Sequence, residues 1–232
     1  MMPYILAGDS WAWKAFTEEN YTLQQLTPTD KCLGDYLRKP FRHCITPGHG
    51  NLDILDIIVR TELDPAQPIL WIYTEPGRDY SRLAKKSEFG WLQDEDYFTC
   101  TLPRLNRLTI ERIANTIPNP IAFVGGLSDF PTLDIPSHWH VLCHSWQGWI
   151  AKHLNSQWFK HGWGASDVGW RMFSNSIVPC KSIVFAWDEQ IKEWCWWQDQ
   201  GYFCHEHPTH LANQLFAEYI QHDFTQWLKK YE

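Results

Sequence analysis

The strongest constraint on this chain is a set of short apolar runs that are hydrophobic on both faces. Pro68 to Tyr73 carries Ile-Leu-Trp-Ile-Tyr after its proline, and Tyr4-Ile5-Leu6-Ala7-Gly8 is a similar run that stops at a glycine. A strand exposed on one face alternates apolar with polar residues. A strand covered on both faces does not, and that is the habit of parallel sheets. Phe41 to Ile45, Pro120 to Val124 and, more weakly, His140 to Cys143 add further strand candidates.

Between these runs the spacing turns helical. Thr27-Pro28 reads as an N-cap followed by a first-turn proline, opening a helix to about Lys39, before Pro40. Asn51 is placed to cap a helix whose apolar side holds Leu52, Leu55 and Val59, with Ile54 and Ile58 beside them. Leu105 to Ile117 forms another. Ser182 to Gln198 shows a helical stripe of Ile183, Trp187, Ile191 and Trp194. Pro208 opens a last helix with Leu211, Leu215, Tyr219 and Ile220 on its apolar side. Strand alternating with helix predicts an α/β, three-layer domain around a mostly parallel sheet of about five strands. The expectation is one domain over residues 1–232, with a Trp-rich irregular insertion or cap around 147–180.

Composition narrows the function. The chain has 232 residues, 44% hydrophobic and 20% charged, which excludes a disordered or collagen-like protein. A net charge of -7 gives no electrostatic footprint for nucleic acid or an anionic membrane. No run reaches the roughly 18 apolar residues of a membrane span, and the first residues do not read as a signal peptide. Seven cysteines, an odd number with no C-x-x-C pair, fit free thiols in a reducing compartment. A cytoplasmic protein is the expectation. Fifteen residues are tryptophan. Trp71 belongs to a buried strand, and Trp187 and Trp194 to the predicted stripe. Trp139, Trp146, Trp149, Trp158, Trp163 and Trp170 form either a packed cap or a surface for stacking on sugar rings.

In parallel sheets the ligand lies beyond the carboxyl ends of the strands. That rule selects Gly8-Asp9-Ser10-Trp11, Pro47-Gly48-His49-Gly50-Asn51 and Thr74-Glu75-Pro76-Gly77-Arg78-Asp79, together with the loop from Cys204 to His210. Ser10, just past a buried strand, can be a nucleophile if a base adjoins it. Read more plainly, Asp9 and Ser10 only turn the chain. His207, before Pro208, can be that base or an ordinary surface histidine. Gly48, Gly50 and Asn51 supply backbone N–H groups and an amide suited to an oxyanion, or simply a glycine turn into a capped helix. Arg78, Asp79 and Glu75 form a charged loop that either binds a polar substrate or is a solvated ion pair. Cys204, His205, His207 and His210, and likewise His138, His140, Cys143 and His144, are dense enough to consider a metal, but neither group has a recognised zinc spacing. No metal or cofactor is expected.

Taken in order, Ala7-Gly8-Asp9-Ser10-Trp11, a Gly/Asn loop after the second strand, and His207-Pro208-Thr209 before the last helix resemble the SGNH (GDSL-type) hydrolase family. The segments GDSW, P-G-x-x-N, Thr74-Glu75-x-x-Arg78-Asp79 and Gly125-Gly126 are similar to a divergent, phage-encoded branch. The resemblance implies a flavodoxin-like sheet and a serine esterase or acyl hydrolase acting on a small-molecule or glycan ester. Ser10 would be the nucleophile and His207 the base. The N–H groups of Ser10 and of Gly48 or Gly50, Gly50 by preference, would hold the oxyanion, with Trp11 lining the pocket. The sequence departs from that family at two points. Cys204 stands where the triad acid is expected, so Asp199 or Glu206 replaces it or Ser10 and His207 act as a dyad. The family's G-x-N-D after the third strand is also missing, which leaves Asn51 or Arg78 as the further oxyanion donor. The competing readings are a catalytically degenerate binding or structural protein on the same fold and, behind it, a His-cluster metalloprotein.

Overall fold

The architecture was taken from a computed structural model. It describes residues 3–9, 12, 31–47, 49–74, 76–79, 102–126, 130–146, 149, 158–160, 183–188, 193–198, 203–204 and 207–232. For 76–77, 158–160, 183–188, 193–198, 203–204 and 207 only the backbone is described.

Five strands form the central sheet: β1 (Tyr4–Gly8), β2 (Phe41–Ile45), β3 (Ile69–Tyr73), β4 (Ile121–Gly125) and β5 (His140–Cys143). Every neighbouring pair is parallel and the order is β2-β1-β3-β4-β5. This is the doubly wound order of flavodoxin-like sheets. β1, β3 and β4 are buried along their whole length, as their unbroken apolar sequences require.

The pleat sorts their side chains into two cores. Leu6, Leu70, Ile72, Ala122 and Val124 face one side, and meet α1 (Leu33–Tyr36) and α4 (His210–Leu228). Ile5, Ala7, Ile69, Trp71, Tyr73, Ile121 and Phe123 face the other. There they meet α2 (Asn51–Arg60) and α3 (Leu102–Ala114). Helices on both faces of one sheet make the three layers predicted from sequence.

Boundaries moved where local chemistry intervened. α1 covers only four residues. Arg38 adopts φ 54°, a left-handed conformation that ends the helix before Pro40. The expected start at Thr27-Pro28 lies outside the described residues. In α2 the buried set is Asn51, Leu52, Ile54, Leu55 and Ile58, while Val59 is exposed. α3 begins three residues before the expected Leu105. α4 begins at His210 rather than at Pro208, with the Thr209 hydroxyl accepting from the Ala212 N–H. Its buried stripe is Ala212, Asn213, Phe216, Ala217, Ile220, Phe224 and Trp227, and Leu211 and Tyr219 are exposed.

One element is of the wrong kind in the sequence reading. Residues 183–188 and 193–198 are antiparallel strands β7 (Ile183–Asp188) and β8 (Glu193–Gln198), not a helix. With β6 (Trp158–Lys160) they form a three-stranded sheet in the order β6-β8-β7. Trp187 is the register partner of Trp194, and Phe185 of Trp196. Ile183 to Trp187 is continuously apolar, so its helical spacing was one subset of an all-apolar run. Such β-branched and aromatic runs fit paired strands better.

Several tryptophans are core. Trp71 and Trp146 are fully buried and Trp139 and Trp227 nearly so. Trp146 stacks on Phe216 at 4.5 Å and Trp149 on Tyr219 at 4.9 Å, which ties the chain after β5 to α4. Trp163 and Trp170 lie outside the described residues.

Candidate functional site

In the order 2-1-3-4-5 the chain leaves β1 toward one neighbour and returns to β3 on the other side. The topological switch point, where sheets of this order have their ligand crevice, therefore lies beyond the carboxyl ends of β1 and β3. The Thr46 N–H donates to the Gly8 carbonyl, carrying the β1–β2 ladder to the end of β1. Gly8 has φ 156°, and a Cβ there would lie 2.5 Å from the Ala12 Cβ and 3.0 Å from the Ile72 Cβ. Only glycine permits this exit. Ala12 returns its N–H to the Asp9 carbonyl at 3.1 Å.

Asp9, read from sequence as a turn former, is completely buried at this crevice. Its Oδ2 accepts from the Thr74 hydroxyl at 2.6 Å and from Arg78 Nη1 at 2.8 Å. Thr74 follows β3 directly, and Arg78 sits in a 3-10 turn, Pro76–Asp79. The Arg78 side chain is 27% exposed while Asp9 has no exposure. The ion pair therefore has one end sealed in protein and the other reaching solvent. It compensates a buried carboxylate that would otherwise be costly.

The N-terminus of α2 forms the other wall. Gly50 occupies the N-cap position and donates its N–H to Asp53 Oδ2 at 3.3 Å. The next two amides, of Asn51 and Leu52, donate to the two oxygens of Asp79 at 3.0 and 2.9 Å. Asp79 thus caps a helix from the following loop, against the positive end of the helix dipole. Gly50 makes room for it, since a Cβ at Gly50 would lie 2.8 Å from the Asp79 Cγ. Burial pushes the Asp79 carboxyl up to about 6, against the two amide bonds that hold it down.

Asn51 is the first residue of α2 rather than its cap. Its buried amide acts on the end of β3. Nδ2 donates to the Thr74 carbonyl at 2.9 Å, and Oδ1 accepts from the Thr74 N–H at 3.1 Å and the Trp71 Nε1–H at 3.3 Å. The amide copies a strand's donor and acceptor and extends β3 by one residue.

Of the residues selected from sequence, Gly50, Asn51 and Arg78 converge on this edge. The Gly50 N–H is engaged by Asp53, and the amide of Asn51 by Thr74 and Trp71. Arg78 is engaged by Asp9 through one nitrogen. Ser10, Trp11, Gly48, Asp199 and Glu206 lie outside the described residues.

The His207 backbone is in β10 (His207–Pro208), antiparallel to β9 (Phe203–Cys204), with Cys204 as its register partner. Asn213 Nδ2 donates to the Pro208 and Thr209 carbonyls at 3.4 and 3.0 Å, tying this segment to the first turn of α4. His210 is not free to turn toward His207: its Nδ1 lies 3.2 Å from the Tyr36 hydroxyl. His144 Nδ1 lies 3.0 Å from the Phe130 carbonyl. Among the described residues no group of three or more His, Cys, Asp or Glu side chains is gathered as metal ligands.

Sequence reasoning picked out the loop from Thr74 to Asp79 as a charged loop, but not that Thr74 and Arg78 bond Asp9, that Asp79 binds the α2 terminus, or that Asp9 is buried. A usable signal existed: a threonine directly after an apolar strand, and an aspartate directly after another, are polar side chains at positions where a parallel sheet is still covered. Comparison with family models, with curated proteins and with solved structures finds no match in any of the three.

Proposed function

We propose that this chain is a serine ester hydrolase, with Ser10 as nucleophile and His207 as base. The observation that carries the reading is the anchoring of Asp9 at the β1–β3 switch point, one residue before Ser10. His207 belongs to a segment tied to the start of α4, a firm support for a base.

In this reading neutral His207 takes the Ser10 proton as Oγ attacks the ester carbonyl carbon. The tetrahedral intermediate expels the alcohol, which leaves with the proton from His207. Water, deprotonated by His207, then attacks the acyl-serine and releases the acid. Glu206 or Asp199 orients the imidazole, or the two residues act as a dyad. The N–H groups of Ser10 and Gly48 hold the oxyanion. The N–H groups of Gly50, Asn51 and Leu52 are already bound to carboxylates and make poor candidates. The substrate class is a small-molecule or glycan ester, with Trp11 as a pocket-lining residue. No described helix is long and apolar enough to cross a membrane. Among the described residues Cys32 and Cys44 are free thiols, in keeping with a reducing, cytoplasmic setting.

The test is labelling of the folded protein by a fluorophosphonate, with Ser10→Ala and His207→Ala as variants. The reading expects labelling and aryl-ester turnover in the wild type, and loss of both in Ser10→Ala without loss of fold. A folded wild type that resists several such reagents refutes it. The carboxylates on the α2 terminus, and Cys204 as register partner of His207, favour a second reading: a binding protein on a hydrolase-like fold. Ligand binding that survives Ser10→Ala, with no hydrolysis, would establish that one.

A further inference from the structure

We propose that Thr74 and Arg78 are positioning residues that hold the Ser10 turn in its reactive place by clamping Asp9, an inference that rests on the serine-hydrolase reading. Both donors meet the same oxygen, Asp9 Oδ2, from two different elements. Thr74 arrives on the end of β3, where its own backbone is fixed by the Asn51 amide. Arg78 arrives on the 3-10 turn, whose last residue, Asp79, is bonded to the first two amides of α2. A sheet strand and a helix terminus therefore fix one carboxylate from two directions. That carboxylate belongs to the residue before the candidate nucleophile.

The clamp is needed because the exit from β1 is otherwise poorly determined. Gly8 at φ 156° lets the chain leave the strand, but a glycine does not by itself specify where it goes next. Loss of either donor weakens the hold on Asp9, and a shift of Asp9 is passed to Ser10 through the peptide bond that joins them. A displacement of about 1 Å at a reacting atom can cost on the order of a hundredfold in rate. Arg78 suits the role because its planar, charged fork holds a carboxylate in a fixed geometry. Neither residue needs to touch the substrate for this effect.

The experiment measures the second-order rate of fluorophosphonate labelling at Ser10 in the wild type, Thr74→Val, Thr74→Ser, Arg78→Ala and Arg78→Lys, with the unfolding midpoint of each. The clamp predicts labelling at least about tenfold slower in Thr74→Val and Arg78→Ala, near-normal in Thr74→Ser and intermediate in Arg78→Lys. It further predicts that guanidinium at sub-denaturing concentration restores labelling of Arg78→Ala, because the small cation can re-occupy the site beside Asp9. Arg78 is partly exposed, so its variants keep the test decisive if Thr74→Val fails to fold. Wild-type rates in folded variants overturn the clamp and leave the hydrolase reading standing. A loss in Arg78→Ala that guanidinium does not restore overturns it as well. An unlabelled wild type overturns the hydrolase reading and the clamp together.

Discussion

Asn51→Ala removes the amide that finishes β3, and its cost can be worked from three bonds. The Thr74 N–H and Trp71 Nε1–H lose their acceptor, and the Thr74 carbonyl loses a donor. Asn51, Trp71 and Thr74 are all buried, so water does not replace the amide. A buried donor left without a partner costs about 1–3 kcal/mol. The Trp71 bond is the longest of the three and belongs at the low end. Two donors and one acceptor then give roughly 4 kcal/mol, reduced by the better helix propensity of alanine, at most about 0.7 kcal/mol. The net loss of roughly 3–4 kcal/mol is a large share of a typical domain's 5–15 kcal/mol. For a chain of this size it lowers the unfolding midpoint by about 10 °C. Urea titration followed by tryptophan fluorescence reads it directly. Asn51→Asp is the informative companion. It keeps the Oδ1 acceptor but turns the donor into a second acceptor against the Thr74 carbonyl, with a charge added in a buried place. It should lose as much at neutral pH. A loss below about 1 kcal/mol in Asn51→Ala, at unchanged denaturant slope, would show that the amide does not hold this edge.

Other perturbations test neighbouring parts of the same edge. Asp79 has a folded value of about 6 against an ordinary 3.8, so the folded state binds the proton more tightly than the unfolded chain. Its contribution to stability therefore grows as pH falls from 7 through 6 toward 4, by about 3 kcal/mol in full. Stability of the wild type minus that of Asp79→Asn should rise across that window, and a flat or falling difference contradicts the assignment. Gly8→Ala combines a φ of 156° with a Cβ 2.5 Å from that of Ala12, and should cost about 2–4 kcal/mol by urea titration. A change within about 0.5 kcal/mol would mean that the β1 exit is not the tight turn described here.

The sheet was legible because parallel strands are a one-dimensional signal. Ile69 to Tyr73 must be apolar at every position when helices cover both faces, and no neighbour in space is needed to see it. The helices kept their kind but not their faces. Val59 and Leu211 sit at apolar spacing yet are exposed, because a stripe read from sequence is wider than the surface the sheet offers it. The β7–β8 pair was misread because a helical spacing can always be picked out of a run such as Ile183 to Trp187, in which every residue is apolar. Tertiary pairing then decides between helix and strand. At the site, Gly8, Gly50, Asn51 and Arg78 drew attention by type and position. Asp9 was read only as part of a turn motif, since its partners Thr74 and Arg78 are 65 and 69 residues away in sequence.

The α2 terminus changes where anion stabilisation can come from. In sheets of this order a helix N-terminus beside the crevice is a ready anion site. Here the chain fills it itself, with Asp53 on the Gly50 N–H and Asp79 on the next two. A substrate oxyanion could claim those donors only by displacing Asp79, which would leave a buried carboxylate without its amides. That displacement costs several kcal/mol. The gain from one oxyanion donor is about 2.7–4 kcal/mol, so the exchange does not favour the substrate. The same carboxylate fixes the 3-10 turn that delivers Arg78 to Asp9. On the hydrolase reading, the helix terminus serves the site by holding Arg78, and a developing negative charge is left to the N–H groups of Ser10 and Gly48.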